Sequence, residues 1–291
     1  MNGWLLVDKP IGITSFQAVN KIKKLLKVKI GHCGTLDPFA SGFLLVAVNK
    51  ATRLIEYIVD FEKNYSFDIK WGIATNTDDL TGLVIKKCNN IPRRCEILEK
   101  LNTFVGDINQ VPPIFSAVKI NGTRAYQYAR KGIPITLKPK KVRLKNFSLV
   151  SHKNDISSFN VTTGKGFYIR SLARDLAESL DTLGHVIKLR RNLNGIFYKM
   201  KMISYEKTND FLHKTEVYDY IVSKILPLDY VLSDVLVHHL DWSENQQLKN
   251  GRSIFVRSLT GNNSTVAAKI NKELVAICSC VNGLLRPVKI F

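Results

Sequence analysis

Apolar and polar positions alternate most cleanly over residues 65–71, YSFDIKW. Tyr65, Phe67, Ile69 and Trp71 fall on one side, and Ser66, Asp68 and Lys70 on the other. A period of two predicts a strand with one face in a core. "GWLLV" predicts a short strand, and "FLLVAV", an unbroken apolar run, predicts a buried one. Between them Val19, Ile22, Leu25 and Leu26 recur at helical spacing, with Lys21, Lys23, Lys24 and Lys27 opposite. Thr14 or Ser15 can cap that helix. Further along, "RRCEILEKLNTFVG", "RAYQYARKG" and "SLARDLAESL" predict helices, with Gly106 and Gly132 as stops. "ATRLIEYIVD" is predicted helical as well. "GLVIKKC", "KKVRLKNFSLVSHK", "SSFNVTTG", "HVIKLRRN" and "GIFYKMK" predict strands. "IFSAVKING" predicts a strand that enters an Asn121-Gly122 turn.

Strands and helices mix without a βαβ rhythm. The expected class is therefore α+β with a mixed, largely antiparallel central sheet, not a doubly wound fold. Residues 208–230 are polar and then helical, as at a boundary. From Leu228 onward short strands dominate, punctuated by Gly251, Gly261 and Gly283. The expected division is a large unit over 1–227 and a small β-rich unit over 228–291.

Composition narrows the function. The 291 residues carry a formal net charge of +19. Such an excess favours a polyanionic partner. From Ile108 to Asn154 there is no Asp or Glu, while Arg124, Arg130 and Lys141 are among the basic residues there. Tyr126, Tyr128 and Phe147 are interleaved. Phosphate meets the charge and unpaired bases meet the rings, so nucleic acid is the better reading than a merely solvated surface. No apolar run reaches transmembrane length. The N-terminal segment lacks the basic start of a signal peptide, so a cytoplasmic protein is expected. Five cysteines, odd in number and without paired CxxC units, argue for reduced thiols and against structural zinc.

One loop gathers reactive side chains: "GHCGTLDPFASG", residues 31–42. Cys33 has no evident base elsewhere and reads as a small filler. His32 lacks the companions a metal ligand needs, because His152, His185, His213, His238 and His239 share no ligand spacing. Contact with phosphate, ribose or the loop itself suits it better. Asp37 has two readings. It caps a turn, as Asp commonly does in glycine-rich loops, or it is a nucleophile or base on a rigid turn. The loop alone favours the cap modestly. No P-loop is present, and Gly164-Lys165-Gly166 lacks the third glycine of a dinucleotide site.

The motifs together resemble the TruB family, the tRNA pseudouridine-55 synthases. "GHCGTLDPFASGFLLVAVNKATR" is similar to that family's signature GHxGTLDPxAxGxLxxxxGxATR. "LLVDKPIGITS", "KNYSFDIKWGIATNTDDLTG", "VPPIFSAVKINGTRAYQYARKG" and "GKGFYIRSLARDL…GHVIKLRR" resemble four further family segments, in order. The match covers roughly the first 200 residues. The end of the chain resembles the family's PUA-like RNA-binding unit more loosely.

This resemblance implies a pseudouridine synthase fold and isomerisation of uridine at position 55 in the T loop of tRNA. It implies Asp37 as nucleophile, Arg170 as its ionic partner keeping it charged, and Tyr65 packing on the target base and supporting proton transfer. His32, Tyr168 and Leu189 would contact RNA or line the uridine pocket. Lys21, Lys24, Arg124, Arg130 and Lys141 are candidates for the RNA backbone. Neither metal nor cofactor is expected, since the isomerisation is redox-neutral. The expected enzyme is a monomer that needs no protein partner or membrane. Departures are Cys33 for threonine, Asn49 for glycine, Asn76 for aspartate and Phe167 for threonine; none removes a catalytic group. The rival readings are an RNA-folding chaperone, a synthase for another RNA, and a carboxylate hydrolase using Asp78, Asp79 or Asp175 as second acid.

Overall fold

The computed structural model describes residues 1–58, 61–193, 195–205, 214–259 and 264–291. Gly261 and His213 lie outside the described residues, as do Val59 and Asp60.

The strand predicted from YSFDIKW runs from Lys63 to Trp71, and Tyr65, Phe67, Ile69 and Trp71 are all buried. It sits inside a nine-stranded sheet. The order is Ile203–Ser204, Gly3–Lys9, Ser41–Val48, Gly184–Asn192, Lys63–Trp71, Ile156–Thr163, Lys140–Lys153, Gly106–Gln110, and Ile30–Cys33 also pairs Ser41–Val48. Two contacts are parallel: Gly3–Lys9 with Ile203–Ser204, and Ser41–Val48 with Gly184–Asn192. The others are antiparallel.

Helix Ile169–Ser179 covers part of the sheet. Ile169, Leu172, Ala173, Leu176 and Ala177 repeat at three- and four-residue spacing and are all buried. They join Phe67, Phe159 and Trp71, with the Phe67 and Phe159 rings 5.3 Å apart. Each large side chain there contributes roughly 1.5–3 kcal/mol by leaving water. A second helix, Ser15–Leu26, buries Ala18, Val19, Ile22 and Leu26. Thr14 accepts the Gln17 N–H at 3.1 Å, and the Gln17 side chain accepts the Thr14 N–H at 2.8 Å. This reciprocal cap is worth about 1 kcal/mol.

A five-stranded sheet follows, ordered Leu236–His239, Ser264–Ile270, Glu273–Val281, Leu284–Ile290, Ile254–Phe255. Cys278 and Cys280 both point into its core. Its Ala267 and Ile277 also pack with Trp4, Phe43 and Leu45 of the first sheet and with Phe197, so one apolar cluster ties the two sheets together. Trp4 is fully buried and donates its indole N–H to Leu228 O at 2.8 Å. Among the described residues no helix is long and apolar enough to cross a membrane.

Four local expectations differ from the structure. Of "IFSAVKING", only Lys119–Ile120 is strand, paired with Thr123–Arg124. Its earlier residues are held instead by loop contacts to the helix Ile169–Ser179, such as Phe115 O with Arg170. "GIFYKMK" forms a 3-10 turn at Gly195–Phe197, because Phe197 turns in to pack on Phe43. Asn49–Tyr57 is 3-10 rather than α-helical, with only Ala51 and Leu54 buried. The C-terminal region also holds an unanticipated helix, Trp242–Lys249, started by an Asp241–Glu244 capping box. Only Asn245 and Leu248 of that helix are buried, too few to mark a helical stripe in sequence.

Candidate active site

The loop Gly34–Ala40 joins two neighbouring strands, Ile30–Cys33 and Ser41–Val48. It emerges where Ser41 and Gly42 pair with Arg190 and Arg191, the sheet's internal parallel junction. Backbone at such a junction cannot simply continue the ladder, and glycine supplies the unusual dihedrals. Gly42 has φ +101°, and a Cβ there would lie 2.2 Å from Arg191 O. Gly34 has φ +80°. The Arg191 guanidinium is buried and donates to Phe43 O at 2.6 Å and to Gly34 O at 3.1 Å. Both ends of the loop are thereby tied to one side chain.

Three more contacts hold its middle. Ser15 Oγ accepts the Leu36 N–H at 2.8 Å and donates to Leu36 O at 3.1 Å. Gly12 N–H donates to Pro38 O at 2.8 Å. The fully buried Lys9 directs its ammonium at Pro10 O, Ile13 O and Pro38 O, at 2.9, 2.8 and 3.4 Å. Burial pulls the Lys9 pKa down to about 8, against the attraction of Asp37 and with the repulsion of Arg191.

Asp37 stands at the crest of this loop with 34 % of its side chain exposed. Arg170, at 4 % exposure, faces it from the first turn of the helix Ile169–Ser179. Arg170 Nη2 donates to Asp37 Oδ1 at 3.2 Å, and Nε lies 2.9 Å from Oδ2. The second approach is close enough for charge attraction but misaligned for a hydrogen bond. The same guanidinium donates to Thr77 O and Phe115 O, both at 3.0 Å, and sits 3.5 Å from Asp79 Oδ2. Arg170 therefore joins three loops at the carboxylate.

The Arg170 guanidinium favours the charged form of Asp37, by charge and by hydrogen bond. The Asp37 pKa is raised, because burial outweighs the Arg170 attraction and Asp79 adds repulsion, with Lys9 opposing. The pair limits the rise without reversing it.

Tyr65 and Leu189 lie in the buried cluster that contains Leu36, Phe39 and Ile169, immediate neighbours of Asp37 and Arg170. Tyr168 precedes Arg170 at the helix start. Its backbone is clamped by Gln110, which accepts the Tyr168 N–H at 2.9 Å and donates to Tyr168 O at 3.1 Å. Burial raises the Tyr168 phenol pKa, Asp37 adds to the rise, and Arg170 opposes it. Asp37, Arg170 and Tyr168 are thus brought together, and Tyr65 and Leu189 belong to the apolar cluster that includes Leu36 and Ile169.

His32 sits on the strand before the loop. Burial lowers its pKa, with Arg191 adding, and its Nδ1 is buried without a hydrogen-bond partner. A neutral imidazole is favoured there. Cys33 is pushed up to about 12 by burial, so it is no nucleophile at neutral pH. The basic candidates lie outside this group. Arg124, Arg130 and Lys141 are exposed. Arg130 stacks 5.3 Å from the Tyr126 ring, in an open concavity of about 440 Å³ lined also by Tyr128 and Lys131. Lys24 is exposed, whereas Lys21 is turned over the Tyr205 ring at 4.4 Å.

Asp79 is the second carboxylate near the site, but its Oδ1 already accepts from Thr77 Oγ1, Thr81 N and Thr81 Oγ1 at 2.8, 2.9 and 2.6 Å. It shapes its own turn and is poorly placed to be the second acid of a hydrolase. Asp78 and Asp175 are both held by Arg174, at 3.0 and 2.8 Å. Among the described residues no three His, Cys, Asp or Glu side chains are grouped to hold a metal ion. Lys9, Gln110 and Arg191 had not been singled out as candidates. A charged or amide residue inside an otherwise apolar strand, as with Lys9 and Arg191, is the signal that marks two of them.

A family model described as the TruB family pseudouridylate synthase N-terminal domain matches residues 22–169. The chain belongs to the TruB family. A second model, the tRNA pseudouridylate synthase B C-terminal domain, matches residues 170–233. A tRNA pseudouridine synthase B of Anaplasma marginale is 39% identical over 300 residues, covering 99% of this chain and 97% of the relative. One of Ehrlichia ruminantium is 39% identical over 300 residues, covering 100% and 99%. A crystal structure of a Cbf5-Nop10-Gar1 complex contains a chain with the same fold, at TM-score 0.75 and 24% identity, covering 99% of this chain and 84% of that one. The TruB chain described here is accordingly a pseudouridylate synthase, an isomerase, and its α+β architecture is the pseudouridine synthase fold.

Proposed function

We propose that this TruB enzyme converts uridine 55 in the T loop of tRNA to pseudouridine, with Asp37 as nucleophile. The observation that carries the reading is the Asp37–Arg170 pair. One carboxylate, partly open to solvent, is braced by a buried cation beside an apolar wall that holds Tyr65 and Leu189. The similarity to curated tRNA pseudouridine synthase B proteins supports tRNA as the substrate.

The chemistry follows from that geometry. The N1–C1′ bond of the uridine breaks, the uracil turns within the site, and a C5–C1′ bond forms. The proton on C5 is then lost to water and N1 gains one, so no oxidant or reductant takes part. Asp37 acts either on C6 of the base or on the sugar as the base departs. A base inside a helix cannot reach Asp37, so the uridine is flipped out at a cost of about a few kcal/mol. Stacking on the Tyr65 side of the pocket, and Tyr168 and Leu189 around the ring, offset that cost. The Arg170 guanidinium opposes the burial that raises the Asp37 pKa and so favours the carboxylate form that attacks.

The basic segment with Arg124, Arg130 and Lys141 grips the RNA backbone, and residues 228–291 form a PUA-like RNA-binding unit. The enzyme works as a cytoplasmic monomer. The test uses tRNA tritiated at uridine C5. Wild type is expected to release tritium and Asp37→Asn to release none above background; equal release by both would remove Asp37 from the mechanism. Mapping pseudouridine in tRNA from cells lacking the protein checks the position, and an intact T-loop modification there would overturn the substrate assignment.

A further inference from the structure

Helix Ser15–Leu26 carries a feature that the catalytic group does not use. Phe16 is 72 % exposed at its first turn. An aromatic ring left this open at a helix start contributes nothing to the core. Phe16, Asn20 and Lys23 recur at intervals of four and three, which sets them along one stripe of the helix, and Lys27 follows as its C-terminal cap. Lys23, Lys24 and Lys27 are exposed, and the helix contains no Asp or Glu. None of these three lysines makes an ion pair among the described residues.

The stripe is rigidly tied to the nucleophile loop. Ser15, next to Phe16, makes both hydrogen bonds to Leu36, the residue before Asp37. Gly12 bonds Pro38, the residue after it, and Ile11 beside Gly12 is 63 % exposed. An apolar rim thus lies on one flank of Asp37, and a line of free cations leads away from it for about 16 Å at the helical rise. An exposed ring suits stacking by any unpaired base, and a lysine line suits phosphates.

We propose that this helix is a second RNA track. Phe16 receives an unpaired base flanking the target uridine, and Lys23, Lys24 and Lys27 bind phosphates of the strand that leads away from it. The track rests on the tRNA reading above and adds a grip separate from the basic segment. Lys21, turned over Tyr205, takes no part.

The experiment compares wild type, Phe16→Ala, Phe16→Trp and a Lys23→Gln/Lys24→Gln/Lys27→Gln variant. Each is assayed on a T stem-loop RNA for pseudouridine formation and for binding over a salt series. Phe16→Ala is expected to raise KM by about five- to a hundred-fold with little change in kcat. Phe16→Trp is expected to restore KM. A 2-aminopurine in the flanking position should be quenched by wild type and not by Phe16→Ala. The lysine variant should flatten the dependence of log affinity on log salt by about two to three. If wild type is active and all variants match it in KM, quenching and salt slope, the track is overturned and the face serves something other than RNA. If wild type itself forms no pseudouridine on this RNA, it is the substrate assignment that falls.

Discussion

The Asp37 loop, residues 34–42, and the basic segment around Arg124–Lys145 are built on opposite plans. The loop is short and held on every side. Arg191 takes both ends, Ser15, Gly12 and Lys9 take the middle, and Arg170 braces the carboxylate itself. The basic segment presents its side chains to solvent with few anchors. Lys141 meets Asp107 at 3.3 Å while 74 % exposed, and the exposed Arg130 rests on the Tyr126 ring. The difference follows from how far each interaction acts. Bond making at a sugar or base demands placement within a fraction of an ångström. Attraction between lysine and phosphate tolerates ångströms of play and is shared among many groups. Rigidity is concentrated where the tolerance is smallest.

Removing Arg170 should separate the two plans most sharply. Arg170→Met leaves Asp37 and the buried Asp79 without their common cation and frees two carbonyls. Breaking such a buried pair costs about 3–5 kcal/mol. Urea unfolding should show that loss together with pseudouridine formation reduced beyond a hundred-fold. Activity within ten-fold of wild type would mean that the brace is dispensable.

Lys9 gives the loop a pH signature. Its folded pKa of about 8 lies below the ordinary 10.5, so the unfolded chain holds the proton more tightly. Below pH 8 the buried charge destabilises the fold in full. As pH rises from about 8 to 10.5 that penalty disappears, at most about 3 kcal/mol. Stability of wild type relative to Lys9→Met should climb across this window. A flat difference would show that the ammonium is not desolvated.

Gly42→Ala tests the strained end of the loop. The added Cβ meets Arg191 O on a backbone at φ +101°. A loss of about 1–3 kcal/mol is expected in thermal or urea unfolding. The smallest effect on the fold belongs to the other region. Arg124→Ala and Lys141→Ala should change stability by less than about 0.5 kcal/mol. Each should instead weaken tRNA binding and lower the salt slope by about one. A loss of stability comparable to Gly42→Ala would erase the contrast between the regions.

Legibility in the sequence follows the same division. The strand Lys63–Trp71 and the helices Ser15–Leu26 and Ile169–Ser179 were readable because period two and period 3.6 mark a half-buried element directly. "GIFYKMK" was misread because Phe197 is apolar for a long-range reason, its contact with Phe43. Asp37 alone was ambiguous between cap and nucleophile, and it is the resemblance to the TruB motifs, not spacing, that favours the nucleophile. Lys9 and Arg191 went unnoticed as loop anchors, since a lysine or arginine is ordinarily read as surface.

The carboxylate-free stretch from Ile108 to Asn154 shows the limit from the other side. Along the chain it has no acid, yet in space Lys141 and Arg143 meet Asp107, and Lys145 meets Glu62. The sequence by itself determined the alternating strands, the amphipathic helices, the polyanion-seeking charge and the family. These depend on neighbours a few residues apart or on sums over the whole chain. Only the tertiary structure decided that Arg170 is shared between Asp37 and Asp79, that burial raises the Asp37 pKa, and that Phe16 stands open next to Ser15, which is tied to the Asp37 loop. Each of those depends on groups far apart in sequence coming within a few ångströms, where desolvation and direct charge contact outweigh local preference.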